Sequence, residues 1–458
     1  MNLPCKLLAC CSMALLFQGC IAPTPPVPPT QKPLEAHLDP WWQELNDTHL
    51  NTLVNTVITE NLSLQMAQQR VLQAYATLEN KKASNFPSAS LSGAKAHQDE
   101  LKGVESKKES YTATLSASYE VDLFGKRSDA IEAQNASFRS SQEALHVTGI
   151  SLVAELANAW YTLGYKQESL ALLEEQFKVA NTILTLTKLS RQNGTNSITD
   201  VWQQEQYIKN LEAQKITLMG DIETQKRAIN LLLGRSALDT LDVAKEAKLI
   251  ALPPQPDVGI PASKLLARPD VRQAFFTLES SNYSLSEAIK NQYPSLNLSL
   301  NTVASATHFA NLLDTIIATA TATLGGTLFD AGAKEDLVKK ALFLSKESSL
   351  SYKQTLLEAF KEVQDALENE KTQTIYLHHL DERIALAKVI LERQQAKYRF
   401  GMVGYLSVLN AQESLQELEQ TRLSKQLDLL KYRIALHRSL AGGMMEYDVI
   451  NEWRNYDR

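Results

Sequence analysis

The chain repeats itself. Phe86-Pro87-Ser88 recurs as Tyr293-Pro294-Ser295, 207 residues further on. The same offset carries Val153-Ala154-Glu155-Leu156 onto Phe360-Lys361-Glu362-Val363, Gly194 onto Gly401 and Val201 onto Val408. Leu123-Phe124 maps onto Leu328-Phe329 at an offset of 205, so one intervening hairpin loop is two residues shorter. This period far exceeds that of a solenoid repeat, so the 458-residue chain is a tandem duplication of a unit that is itself a multi-element fold.

Each unit reads in the same order. A helix (46–84 in the first unit, 262–292 in the second) stops at a proline, and a β-hairpin follows (86–121 and 293–325). Residues 111–121 alternate strictly: Tyr111, Ala113, Leu115, Ala117, Tyr119 and Val121 fall on one face, with Thr112, Thr114, Ser116, Ser118 and Glu120 on the other. Leu296, Leu298 and Leu300 repeat the pattern, as do Ala318, Ala320, Ala322 and Leu324 set against Thr319, Thr321 and Thr323. A long helix comes next (127–192 and 331–399). Leu156, Leu163, Leu170, Phe177 and Leu184 recur every seven residues along it, with Leu152, Ala159, Lys166, Leu173 and Ala180 as a second row. Shifted by 207, the first row becomes Val363, Glu370, Leu377, Ile384 and Leu391, hydrophobic with one polar exception. At ~1.5 Å per residue such a helix is roughly 100 Å long, more than an ordinary globular domain needs. Glycine then ends it, at Gly194 and Gly401, and a return helix follows (198–233 and 405–440). Prolines 253, 254, 256 and 261 link the units, which divide the mature chain into 46–252 and 253–458 with a C-terminal tail.

All four cysteines (Cys5, Cys10, Cys11 and Cys20) lie in the first twenty residues, which excludes a disulfide framework or a Cys-ligated metal site further along. Lys6 and the apolar run from Leu7 to Phe17 read as a cleaved signal, too short to span a bilayer of ~30 Å. The run ends in Leu16-Phe17-Gln18-Gly19-Cys20, which resembles a bacterial lipobox. Residues 1–19 are therefore expected to be removed, and Cys20 to receive a diacylglycerol. Residues 20–45 open with a Pro-rich stretch suited to an extended tether. No later stretch holds eighteen uninterrupted apolar residues.

Ten-residue strands with one apolar and one small-polar face suit a transmembrane β-barrel. In lipid every backbone group must be paired, so only a closed barrel is allowed. Four strands are too few to close around a lumen, so the chain must oligomerise, with eight strands in a dimer or twelve in a trimer. A small β-sandwich capping a helical bundle is the soluble alternative, but the Thr, Ser and Asn face suits a wet lumen better than a dry core. The net charge of -6 argues against a nucleic-acid partner. HExxH, GxSxG, P-loop and dinucleotide fingerprints are all missing. The eight histidines are scattered, His378-His379 lying on a long helix, and the seven methionines do not cluster. Neither an enzyme nor a cofactor is expected. A periplasmic coiled-coil adaptor would have no use for two amphipathic β-hairpins.

Further motifs run in order along the chain: Trp41-Trp42 before the first helix, Asp122-Leu123-Phe124-Gly125 after the first hairpin, Arg268-Pro269-Asp270-Val271-Arg272 opening the second unit, and Tyr398-Arg399-Phe400-Gly401 with Leu406 and Leu409-Asn410-Ala411-Gln412. Together with the duplication they resemble TolC-like outer membrane efflux proteins, specifically the lipoprotein branch that serves RND-type pumps. The resemblance implies a mainly α chain with a transmembrane β part. Three copies would form a homotrimeric tube, a twelve-stranded β-barrel over a long-helix α-barrel, with a belt from residues near 235–262 and the C-terminus. It implies an outer-membrane site, a periplasmic adaptor partner and an inner-membrane RND-type transporter. Adaptor docking would then fall on the helical tips, at Gly194, Thr195, Asn196, Gly401, Met402 and Val403. The resemblance also places a gate at Asp200, Tyr398, Ser407 and Asn410. Val403 stands where the family has a bracing arginine. Ser407 and Asn410 stand where a well-known member has lumen aspartates, so the constriction is expected to be less acidic. Asp200 has an alternative reading as a helix-start carboxylate.

Overall fold

The computed structural model describes residues 41–98, 108–192, 197–252 and 265–440. Cys20, Gly194, Thr195, Asn196, the Pro-rich link 253–264 and the tail from 441 onward lie outside the described residues.

The expected 46–84 helix is two helices, α1 (Thr48–Glu60) and α2 (Leu62–Ala83). Asp47 opens α1 by accepting from the His49 and Leu50 amides. Asn61 makes the break. It is extended, it caps α2 by accepting from the Leu64 amide at 3.0 Å, and its Nδ2 donates to the Leu232 carbonyl at 2.7 Å. That partner lies 171 residues away, so a local reading of helix periodicity had no access to it.

Strands β1 (Ser88–Gln98) and β2 (Lys108–Val121) form the first hairpin. The long helix α3 (Lys126–Gln192) and its return α4 (Ile198–Leu232) follow. The second unit has α5 (Pro269–Lys290), β3 (Ser295–Ala306), β4 (Ile316–Gly325), the long helix α6 (Ala333–Arg399) and its return α7 (Tyr405–Leu440). Leu265 and Leu266 are helical, but the expected 262–292 helix breaks before Pro269, where α5 starts. Pro269 takes the first helical turn, and Arg268 before it is extended (φ -60°, ψ 135°), as a pre-proline residue prefers.

The four strands make one antiparallel sheet in the order β1-β2-β3-β4. The helices below it repeat that order. In the half nearer the sheet, α2 packs on α3, α3 on α5, and α5 on α6. In the far half, α4 packs on α3, α3 on α7, and α7 on α6. Each chain is thus a slab whose one edge is β1, α2 and α4 and whose other edge is β4 and α6.

The main core sits midway along α3. Leu156, Trp160, Tyr161 and Leu163 meet α1, the 3-10 helix Trp41–Leu45, and the far ends of α4 and α7 through Ile229, Leu233, Leu430 and Ile434. Burying such side chains contributes about 1.5–3 kcal/mol each. Trp160 Nε1 donates to Asp47 at 2.8 Å, so the residue that caps α1 also docks it on α3. The polar member of the α6 heptad row, Glu370, is buried against Arg433 of α7 in a forked ion pair (2.5 and 3.0 Å). Arg268 plays a comparable part between α5, α6 and the end of α7. It meets Asp270, Glu362 (2.9 Å) and the carbonyl of Ser439 (3.2 Å).

Candidate functional site: the sheet and the helical tips

Pairing across the sheet sorts residue types by face. Ala89, Ala117, Leu300 and Ala320 form one cross-strand row, and Ser88, Ser118, Ser299 and Thr321 form the next on the opposite face. Thr302 on the apolar face, and Ala94, Ala96, Val303 and Ile317 on the polar face, depart from the rule. Every residue of β1 and β4 is exposed, and so are Leu91, Leu115, Leu300 and Leu324. Among the described residues no helix backs this sheet, and the outer edges of β1 and β4 have no strand partner. In water such an apolar, open-edged sheet is an aggregation template; in lipid it is a wall that lacks its neighbours. Among the described residues no helix is long and apolar enough to cross a membrane.

Aromatic rings mark both ends of the apolar band. Tyr111 meets Phe309 at one end (5.8 Å between centroids), while Tyr119 and the Phe124–Tyr293 pair (5.0 Å) mark the other. Eight residues at ~3.4 Å each separate Tyr111 from Tyr119 by about 27 Å, matching the apolar band of roughly 25 Å in outer-membrane barrels. Beyond Tyr111 the apolar face turns charged, with Lys95 3.3 Å from Glu109 and 5.2 Å from the Tyr111 ring centroid. At the other end Asp122 accepts from the amides of Arg127 and Ser128 (3.1 and 2.9 Å), turning the chain from β2 into α3. Asp330 repeats the device before α6, accepting from the amides of Gly332 and Lys334.

The opposite end of the molecule is the α6–α7 turn. Gly401 has φ 69°, a left-handed conformation that costs an L side chain ~1–2 kcal/mol. Its amide donates to the Tyr398 carbonyl and that of Met402 to the Lys397 carbonyl, both at 2.9 Å, the paired bonds of a Schellman stop. Met402 is exposed and Val403 partly so. Phe400 (81% exposed) and Leu406 flank the turn with bare apolar surface, and Trp202 is exposed near the start of α4. The motif search missed Phe400 and Trp202 as surface residues. Large apolar side chains beside a glycine turn, where polar ones are usual, were the available signal.

Asp200 sits at the start of α4 in a capping box, its carboxylate accepting from the Ser197 amide at 3.3 Å. Tyr398 packs its ring on Tyr405 (5.5 Å). Tyr405 is buried, and its hydroxyl donates to Gln204 of α4, a residue the sequence reading passed over. Burial pushes the Tyr405 phenol well above the ordinary tyrosine range, with Tyr398, Asp200 and Tyr207 adding to the shift. Burial, then Glu413, do the same for Tyr207. Asp200 and Tyr398 are thus gathered around Tyr405. Ser407 and Asn410, one helical turn apart, lie off the buried stripe of Tyr405, Val408, Leu409 and Gln412, Ser407 half-buried and Asn410 exposed. Between the tips of α3, α6 and α7 a cleft of about 370 Å³ is lined by Leu186, Ser190, Tyr398 and Tyr405.

The model of the family described as outer membrane efflux protein matches residues 53–235 and again 260–442, two stretches that start 207 residues apart (53 and 260). Cation efflux system protein CusC of Escherichia coli O6:H1 is 24% identical over 466 residues, covering 97% of this chain and 100% of that one. Antibiotic efflux pump outer membrane protein ArpC of Pseudomonas putida is 27% identical over 458 residues, 96% of this chain and 94% of that protein. Among solved structures, the outer-membrane channel OprN superposes with a TM-score of 0.82 at 22% identity, over 90% of this chain and 95% of that one. With both repeats matched by the family model and the fold of the chain shared, the chain belongs to the outer membrane efflux protein family.

Proposed function

We propose that three copies of this chain join edge to edge into a closed duct that carries cargo passively across the periplasm and the outer membrane. The observation that carries this reading is the slab. Strand order and helix order coincide, and among the described residues both edges are left open. Joining the β4–α6 edge of one copy to the β1–α2–α4 edge of the next is a head-to-tail contact, which closes into a ring. Exposed apolar side chains on both edges fit such a contact: Phe343, Leu350 and Leu357 on α6, and Leu62, Met66 and Ile216 on α2 and α4. Four strands per chain give twelve in the trimer, with hydroxyl and amide side chains toward the lumen and the Leu/Ala face toward lipid.

In this reading Cys20 carries the lipid anchor. The periplasmic tips are Gly194, Thr195, Asn196, Gly401, Met402 and Val403, where an adaptor protein docks and links the duct to an inner-membrane RND-type transporter. The bare Phe400, Trp202 and Leu406 supply apolar area for that contact. The gate lies at Asp200, Tyr398, Ser407 and Asn410, and opening is a shift between two helix packings rather than bond chemistry. The named relatives move cations in one case and antibiotics in the other, so cargo choice belongs to the pump more than to the duct.

Cysteine cross-linking tests the ring. The mature chain has no cysteine after Cys20, so one cysteine placed along β1 and one along β4 can pair only between copies. Oxidation in cells is expected to give a ladder that ends at three chains. A ladder ending at two would replace the trimer with an eight-stranded dimer, and no ladder at any position pair would remove the ring.

A further inference from the structure

We infer that the gate is held by an uncharged three-helix latch, Tyr405–Gln204–Ala180, rather than by the Asp200 carboxylate. The inference rests on the duct reading above and names the contact that must break for the tip to open. Tyr405 lies in the first turn of α7, the return helix of the second hairpin. Its hydroxyl donates to Gln204 Oε1 on α4, the return helix of the first hairpin. Gln204 is completely buried, and its Nε2 donates to the Ala180 carbonyl of α3 at 2.7 Å. One amide side chain therefore ties both hairpins together, within the small tip core of Leu173, Ala180, Tyr207, Ile208, Leu211 and Leu409.

Two further observations support the assignment. Asp200 already has work, since its carboxylate closes the capping box with the Ser197 amide at the helix start. Val403 brings no cation to the turn. The Tyr405–Gln204 bond, by contrast, has no solvent to replace it: both residues are at most 2% exposed. Swinging α7 away from α4 leaves a phenol and an amide without partners until water enters, which makes the bond a barrier to opening.

The test uses the full-length protein in planar lipid bilayers. Tyr405→Phe removes the hydroxyl and keeps the ring, and Gln204→Met removes the acceptor and keeps the volume. Each is expected to raise mean current about fivefold, the factor equivalent to one net hydrogen bond. The double variant is expected to add little to Gln204→Met alone, because that change already deletes the bond from Tyr405 along with the one to Ala180. A heat-resistant oligomer band unchanged in each variant shows that the wall itself is intact; if Tyr405→Phe fails to assemble, Gln204→Met decides alone. Wild-type current in the assembled variants, or additive effects in the double variant, would overturn the latch while leaving the duct. A larger rise from Asp200→Asn than from either would move the latch to the carboxylate. No current from any assembled variant would sink the duct, and the latch with it.

Discussion

Glu370 shows what one residue of a heptad row can conceal. As a letter in the α6 seam it breaks the hydrophobic pattern; in the fold it is 4% exposed and forked onto Arg433 of α7. Removing one partner of a buried pair strands the other charge, so Glu370→Ala is expected to cost about 3–5 kcal/mol. Replacing both, as Glu370→Met with Arg433→Leu, is expected to restore most of it. The melting temperature of the assembled protein checks both variants. Residues of this kind were the least legible in the sequence. Glu370 and its arginine are 63 positions apart, and Gln204 and Tyr405 are 201 apart. Nothing local distinguishes a buried glutamine from a solvated one. Asn61 belongs with them, since its helix break depends on a carbonyl in α4.

Elements were far more readable, because their signals are local. The alternation of residues 111–121 needs no distant partner to show which side chains share a face, and the pairing of β2 with β1 and β3 keeps those faces along most of the strand, Thr302 opposite Leu115 and Val303 opposite Thr114 being exceptions. Gly401 announced its turn because left-handed backbone disfavours a Cβ. Face identity leads to a sharp expectation for β2. Leu115 sits midway between the Tyr111 and Tyr119 rings on the apolar face, and Thr114 lies beside it on the polar face. Leu115→Arg is expected to destabilise the inserted protein by about 2–4 kcal/mol, the cost of a cation facing the middle of the bilayer. Thr114→Arg is expected to change stability little, because its side chain reaches water. Denaturant titration of the inserted protein compares the two, and equal costs would undo the assignment of faces.

As a whole molecule, the protein is a member of the outer membrane efflux protein family. Its architecture divides cleanly along the duplication. Each copy contributes one strand pair and one long helical hairpin, and the two copies lie side by side rather than face to face. That arrangement leaves no internal surface large enough to satisfy the sheet, which is why a lone chain exposes every residue of its outer strands.

The coincidence of strand order with helix order has a consequence for how the wall is built. A lone chain offers lipid two raw margins, each a row of amides and carbonyls with nothing to bond, so it has no stable resting place in a bilayer. If copies join as proposed, docking of copies and entry into the membrane belong to one event. The rate of insertion into vesicles should climb more steeply than linearly with protein concentration, and strictly first-order insertion would show that chains enter alone.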